Sequence, residues 1–260
     1  MADHRPLILI PSFNTGPILR ATVESAIGHG ARVWVVIDGS TDGSEKLLDD
    51  LVTAENPEVH RIILPVNRGK GGAVRHALGL AIEDGFTHIL TMDADGQHPA
   101  DRIAAYLELS RRHPEAAVFG RPVFDASAPA LRVNGRKVSN FWANLETLGW
   151  GIDDSLFGMR LYPARALCEV MDSTRFARRF DFDPEVAVRL CWRGVPIINL
   201  PTPVRYLTPE EGGVSQFRYL RDNTLLTWMH LRLLLGFLVR APWLLARGGN
   251  PLESQNPPHE

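Results

Sequence analysis

A chain of 260 residues with 45% hydrophobic and 22% charged residues has the composition of an ordinary globular protein, long enough to bury a substantial core. Its formal charge of −2 excludes the basic excess that a nucleic-acid binder carries. Cys168 and Cys191, with no CxxC pair and no histidines at zinc-site spacing, read as reduced thiols, and the N-terminal apolar run is too short for a signal peptide. A cytoplasmic protein is expected.

In chain order, Leu7–Pro11 reads as a strand and Pro17–Ile27 as a helix with proline in its first turn. Arg32–Ile37 is a second, almost continuously apolar strand. Ser44 caps a helix to about Leu51, and Val59–Leu64 is a third strand. A helix from Gly71 or Gly72 to Glu83 follows, then a strand over Thr87–Met92, a helix over Pro99–Arg112 and a strand over Ala116–Phe119. Strands that alternate with helices and show little polar alternation predict a parallel sheet covered on both faces. Beyond Arg121 the pattern loosens: helices fit Val138–Gly149 and Asp183–Arg193, Thr208–Gly213 is a polar loop, and Asn250–Glu260 reads as a disordered tail.

Polar clusters follow the first four strands: Pro11-Ser12-Phe13-Asn14, Asp38 to Gly43, Asn67 to Gly72, and Asp93-Ala94-Asp95-Gly96-Gln97. Carboxyl ends of parallel strands line one sheet edge, where ligands bind. Each cluster suits part of a nucleotide diphosphate. Asp38 can accept from a base N–H, and Phe13 can cover the base. Lys70, in a glycine-rich turn, offers charge and backbone N–H groups to phosphate oxygens, although the turn is not a Walker A loop. Asp93 and Asp95 flank one small residue, so both can reach one hard cation, with Gln97 as a neutral oxygen ligand. Against these stand plainer readings: Asp42 and Ser44 as turn and cap residues, and His98 as a side chain shaping a helix start.

The strings ILIPSFN, VVIDGSTDGS, NRGKGGAVRHAL and TMDADGQHP resemble the family-2 glycosyltransferases of the GT-A fold, an α/β Rossmann-like and mostly parallel sheet. Within that family they are most similar to the polyprenyl-phosphate (dolichol-phosphate) sugar transferases. Asp154–Tyr162 resembles the subgroup's DPTSGFRxY segment, FDFDPE its late acidic segment, and Gly213-Val214-Ser215-Gln216 its GxSK turn. The resemblance implies that Asp93, Asp95 and Gln97 bind Mg²⁺ or Mn²⁺, that Asp38 reads the base, and that Arg121, Arg136, Arg160 and Arg205 hold phosphates. Pro11, Phe13, Asn14, Lys70 and Ser215 complete the substrate-binding set. Asp95, Arg160, Asp183 and Glu185 are the catalytic candidates. Ile37 departs from the family's first Asp in VDDGS, Phe13 from its Tyr and Gln216 from its Lys.

The expected activity is metal-dependent transfer, with inversion, from a GDP- or UDP-linked sugar to a lipid or polyprenyl phosphate. If the acceptor is a hydroxyl instead, Asp181, Asp183 or Glu185 must take its proton. A sugar-phosphate nucleotidyltransferase and a non-catalytic nucleotide-sugar-binding protein are the rivals. The expected organisation is a catalytic domain over residues 1–216, divided at 120 into nucleotide and acceptor halves, followed by an amphipathic helical segment over 217–247 and a tail over 248–260. Leu225–Leu245 is long enough to span a bilayer, yet it holds His230, Arg232, Arg240 and Pro242. Arg221, Asp222, Arg232 and Arg240 fall within one quarter of the helical wheel, so the segment is expected to lie on the inner membrane face, or to pack on protein, rather than to cross.

Overall fold

The computed structural model describes residues 4–124, 130–204, 219–253 and 256. The apolar runs of the first half form strands β1 (Pro6–Ser12), β2 (Arg32–Asp38), β3 (Val59–Leu64) and β4 (His88–Thr91). Between them lie helices α1 (Ile18–Ala26) and α2 (Lys70–Glu83); α3 (Ile103–Arg112) follows β4. The runs lack polar alternation because both sheet faces are covered. Leu7 and Leu9 of β1 join Trp34 and Val36 of β2 in the core beneath α2, while Ile8 and Ile10 join Val33, Val35 and Ile37 in the core beneath α1 and α3. The isoleucine at 37 is thereby explained: it is 1% exposed and belongs to this second core. The expected helix at Ser44 is only a short 3-10 turn, Ser44–Leu48.

The second half adds β5 (Ala117–Phe124), α4 (Ala130–Thr147), β6 (Arg160–Pro163), α5 (Ala164–Asp172), α6 (Phe182–Trp192), β7 (Ile197–Val204) and α7 (Tyr219–Arg247). All seven strands form one sheet in the order β3-β2-β1-β4-β6-β5-β7. β6 is antiparallel to both β4 and β5, and the other pairings are parallel. The sheet is therefore mixed, and β6, α5 and β7 were not anticipated. β5 and β7 stay paired from Ala117↔Ile197 out to Phe124↔Val204, whereas β6 leaves β5 after Phe119.

α7 packs on α4 and α6, burying Met229, Leu233, Phe237 and Leu244. The expected basic stripe faces outward only in part, since Arg221 and Arg240 are exposed while Arg232 and Asp222 are not. Arg232 turns inward onto Glu185 of α6 (3.0 Å) and the Phe176 ring (3.6 Å), Arg240 lies over the Trp192 ring (4.6 Å), and Asp222 is 1% exposed. The outward face also carries a broad apolar surface: Trp228, Leu235, Leu238, Val239, Trp243 and Leu245 are each at least half exposed. Among the described residues, α7 is the one helix long and apolar enough to cross a membrane. The tail is not simply disordered. The Asn250 side chain accepts the N–H of Ile197 (3.3 Å) and donates to its carbonyl (2.7 Å), and Asn256 accepts the N–H of Asn199 (2.7 Å).

Candidate active site

The first three polar clusters are laced together where β1, β2 and β3 end. Asn14, at φ 47°, accepts the N–H of Thr41 on its side-chain oxygen (2.8 Å), and its own N–H donates to Ser40 (3.1 Å). Pro11 lies inside β1 opposite Val36, and Phe13 is half-buried beside this lacing. Asp38 is 2% exposed and its two oxygens accept the N–H groups of Arg68 (2.8 Å) and Gly69 (2.7 Å). Burial raises its pKa, and those two hydrogen bonds oppose the rise. Its carboxylate thus faces the third cluster rather than solvent and clasps that cluster to the second.

The glycine-rich turn keeps only part of its N–H groups available to a phosphate. Asp38 takes those of Arg68 and Gly69, and the Arg178 carbonyl takes that of Gly72 (3.2 Å). Gly69 and Gly71 are required because a Cβ at either would overlap the backbone oxygens of Arg178 and Ala177. This contact fixes the start of α2, and with it the direction of Lys70.

Lys70 is the centre of the site. Its ammonium lies 2.7 Å from Asp93 Oδ1, after β4, and 2.7 Å from Asp183 Oδ2, in the first turn of α6. Burial opposes its charge, but the two carboxylates raise its pKa well above the ordinary lysine value. Burial pushes Asp93 up, yet the ammonium and its neighbours outweigh this and leave Asp93 at about 2. Asp95 goes the other way, to about 7, through burial and the charge of Asp93. Burial also raises the Asp183 pKa, against the pull of Lys70 and Arg160. Asp183 Oδ1 is buried and makes no hydrogen bond.

His98 and Gly158 complete this arrangement. His98 accepts the Asp93 N–H on Nδ1 (2.9 Å), which leaves its proton on Nε2, 3.5 Å from Asp93 Oδ2. Burial lowers its pKa to about 4, so the imidazole is neutral and holds the turn. A Cβ at Gly158 would overlap Asp93 Oδ2 and Lys70 Nζ, so the backbone of the 154–160 segment seals one side of the carboxylate. The sequence signal was available, since a glycine stands two residues before Arg160 in the DSLFGMR string.

Asp93 and Asp95 hold two like charges on one turn, and Asp95 cannot ionise fully at neutral pH while Asp93 is charged. A divalent cation relieves this repulsion, so the residues fit one. They offer few donors, and no group of three or more His, Cys, Asp or Glu that could hold a metal is present among the described residues. Mg²⁺ or Mn²⁺ at Asp93 and Asp95 therefore needs further oxygens from a phosphate or water. Gln97 gives its backbone N–H to Asp95 (3.1 Å), and its side chain borders a cavity of about 440 Å³ with His98, Val123, Phe124, Pro203 and Val204.

The arginines divide differently than expected. Arg136 is near this cluster and pairs with Asp154 (2.8 Å), and Arg121 lies 3.6 Å from Asp153. Arg160 is fully buried: its guanidinium donates to the carbonyls of Asp183 (2.6 Å) and Asp154 (2.9 Å) and stacks on Phe119 (4.4 Å). Arg160 therefore cannot meet a phosphate, and it positions the two segments that carry Asp183 and Asp154. Glu185 is also removed from the chemistry. Two residues along a helix turn about 200°, so Glu185 points away from Asp183. It is fully buried between Arg189 (2.8 Å) and Arg232 (3.0 Å), with Thr174 at 3.2 Å. Asp181 accepts the N–H groups of Ala177 (3.1 Å) and Arg179 (2.8 Å) and serves that turn. Arg205 and Ser215 lie outside the described residues.

The profile of Glycosyl transferase family 2 matches residues 7–170, more than half of the chain. The chain belongs to glycosyltransferase family 2. This transferase is 27% identical over 219 residues to the polyprenol monophosphomannose synthase of Mycolicibacterium smegmatis, covering 82% of this chain and 81% of that protein. It is 25% identical over 212 residues to the undecaprenyl-phosphate mannosyltransferase of Micrococcus luteus, covering 76% and 82%. Among solved structures, the glucosyl-3-phosphoglycerate synthase of Mycobacterium tuberculosis with Mn²⁺, UDP-glucose and phosphoglyceric acid superposes with a TM-score of 0.64 at 16% identity, over 91% of this chain and 80% of that one. The fold of this family-2 enzyme is thus GT-A.

Proposed function

We propose that the protein transfers a glycosyl residue from a nucleoside-diphosphate sugar to a polyprenyl phosphate, with inversion. The observation that carries the reading is the carboxylate pair Asp93–Asp95 at the end of β4, tied by Lys70 to Asp183 on the acceptor half. The lacing of Asn14, Ser40, Thr41 and Asp38 supports a nucleoside over β1–β3, with Phe13 at its side. A divalent ion held by Asp93 and Asp95, with Gln97 close by, supplies charge neutralisation for the departing diphosphate. Lys70 and Arg136, each already paired with carboxylates, lie on the same side, and Gly158 packs against one oxygen of Asp93. A phosphate acceptor arrives already ionised and needs no base, and the named lipid-phosphate substrates of the relatives favour that acceptor.

The apolar outer face of α7 supports delivery of the acceptor from a lipid surface on which the enzyme lies peripherally. A second reading is favoured by the buried, unpartnered Oδ1 of Asp183: this oxygen can take a proton from a hydroxyl acceptor. The test is transfer of radiolabelled sugar from GDP- and UDP-linked donors, with Mn²⁺ or Mg²⁺, to undecaprenyl phosphate. Label entering the organic extract supports the first reading, and label entering only a water-soluble hydroxyl acceptor supports the second. Pyrophosphate release from a nucleoside triphosphate and a sugar phosphate would overturn both.

A further inference from the structure

The Lys70 ammonium touches the very carboxylate that a metal needs. Its Nζ is 2.7 Å from Asp93 Oδ1, and the other Asp93 oxygen faces His98 Nε2 and the backbone at Gly158. The lysine cannot drift off by a shift of α2, because Gly69 and Gly71 are in contact with the Ala177 and Arg178 carbonyls. A side-chain rotation is the only release. Asp183 holds the ammonium from the other side at 2.7 Å, and the side chain is 19% exposed.

Charge arithmetic gives this contact a consequence. The three carboxylates Asp93, Asp95 and Asp183 against one ammonium leave a formal charge of −2, while Arg136 and Asp154 neutralise each other. Without the lysine the same cluster carries −3 and Asp93 is bare. An incoming diphosphate brings its own negative oxygens, which can draw the ammonium away from Asp93 while they complete the metal's coordination.

Resting on the metal-dependent reading above, we propose that Lys70 is a built-in counter-cation that competes with the metal for Asp93 and yields it when a nucleoside diphosphate binds. Metal and nucleotide are then coupled: each raises the affinity of the other by one shared factor, and Lys70 is the source of a large part of it. The enzyme rests without a tightly held ion and acquires one together with the donor.

The test is titration of the full chain with Mn²⁺, followed by electron paramagnetic resonance and by calorimetry. It is run alone, with GDP and with UDP, on the wild type, Lys70→Gln and Lys70→Met. The proposal expects both variants to bind Mn²⁺ alone at least about tenfold more tightly than the wild type, since a competing unit charge in contact with the ligand has gone. The factor by which GDP or UDP tightens Mn²⁺ should shrink in both. Circular dichroism confirms that each variant is folded, and Lys70→Arg, which keeps the charge, should behave like the wild type. Unchanged or weaker binding of Mn²⁺ alone in folded Lys70→Gln and Lys70→Met overturns the proposal. Failure of the wild type to bind Mn²⁺ even with both nucleotides overturns the metal reading itself, a different outcome.

Discussion

Replacing Glu185 separates structure from catalysis, because the sequence suggests a catalytic acid and the structure shows a buried junction. The carboxylate is fully buried, pairs with Arg189 and Arg232 and accepts from Thr174. Glu185→Ala leaves two guanidinium groups facing a void. Removing one partner of a buried ion pair costs about 3–5 kcal/mol, a large share of a stability of about 5–15 kcal/mol. At about 2–4 °C per kcal/mol for a chain of this size, the melting temperature should fall by roughly 6–20 °C. Urea denaturation and calorimetry measure this. Activity assayed well below the melting point should be retained. Glu185→Met with Arg232→Met removes the carboxylate and the more buried of its two arginines while filling similar volume, and should recover part of the loss, with Arg189 left charged at the less buried side. If Glu185→Ala melts like the wild type and has lost turnover, the junction reading is wrong and Glu185 belongs to the chemistry.

Asp95 titrates at about 7 in the absence of a cation while Asp93 stays ionised, so protons compete for the second ligand. Mn²⁺ affinity should hold above pH 7 and fall by up to about tenfold per unit as pH drops below it, as calorimetry in matched buffers would show; a flat profile from pH 5 to 8 would remove Asp95 from the metal. Gly158→Ala drives a methyl into Asp93 and Lys70, and should abolish metal-dependent nucleotide binding while the far-UV spectrum stays native; normal binding would mean that the segment yields. Asp38→Asn turns an amide donor toward a backbone N–H, which should cost about 1–3 kcal/mol in denaturation and weaken nucleotide binding with it. Weakened binding at unchanged stability would instead indicate direct contact with the base. Leu235→Glu with Val239→Glu should end flotation with liposomes, and because Arg232 faces protein while Arg221 and Arg240 stay exposed, salt should weaken wild-type flotation only in part; flotation lost entirely in moderate salt would make the arginines rather than the apolar face the anchor.

The sheet's first half was legible because each strand is an unbroken apolar run that stops at a polar cluster, and both features come from burial on two faces. β7 was illegible for a specific reason. Its sequence IINLPTPV carries two prolines, which argue against a strand. Ile197 and Asn199 direct their N–H groups to the outer edge, toward Asn250 and Asn256. Pro201 and Pro203 share that parity, so their missing N–H groups cost the ladder nothing. β6 has four residues and starts with a buried arginine, a pattern no periodicity reveals. At the site, Asp93, Asp95, Lys70 and Asp183 could be named from sequence, but not that the ammonium of the third cluster joins Asp93 of the fourth to Asp183 on α6. Arg160 and Glu185 were misjudged because a motif match gives residue type and position, whereas reach to solvent depends on which way the helix or strand turns the side chain.

The asparagines at the chain's end have a consequence for solution behaviour. An edge strand with free N–H and C=O groups is a template on which a foreign strand can grow, and proteins commonly block it with charge or a covering segment. Here two amide side chains do the blocking, and Asn250 satisfies both the donor and the acceptor of Ile197. Shortening the chain before residue 250 would unmask that edge at Ile197 and Asn199, beside the prolines. Such a chain should retain its chemistry yet self-associate as its concentration rises, and restoring the asparagines would return it to dispersion.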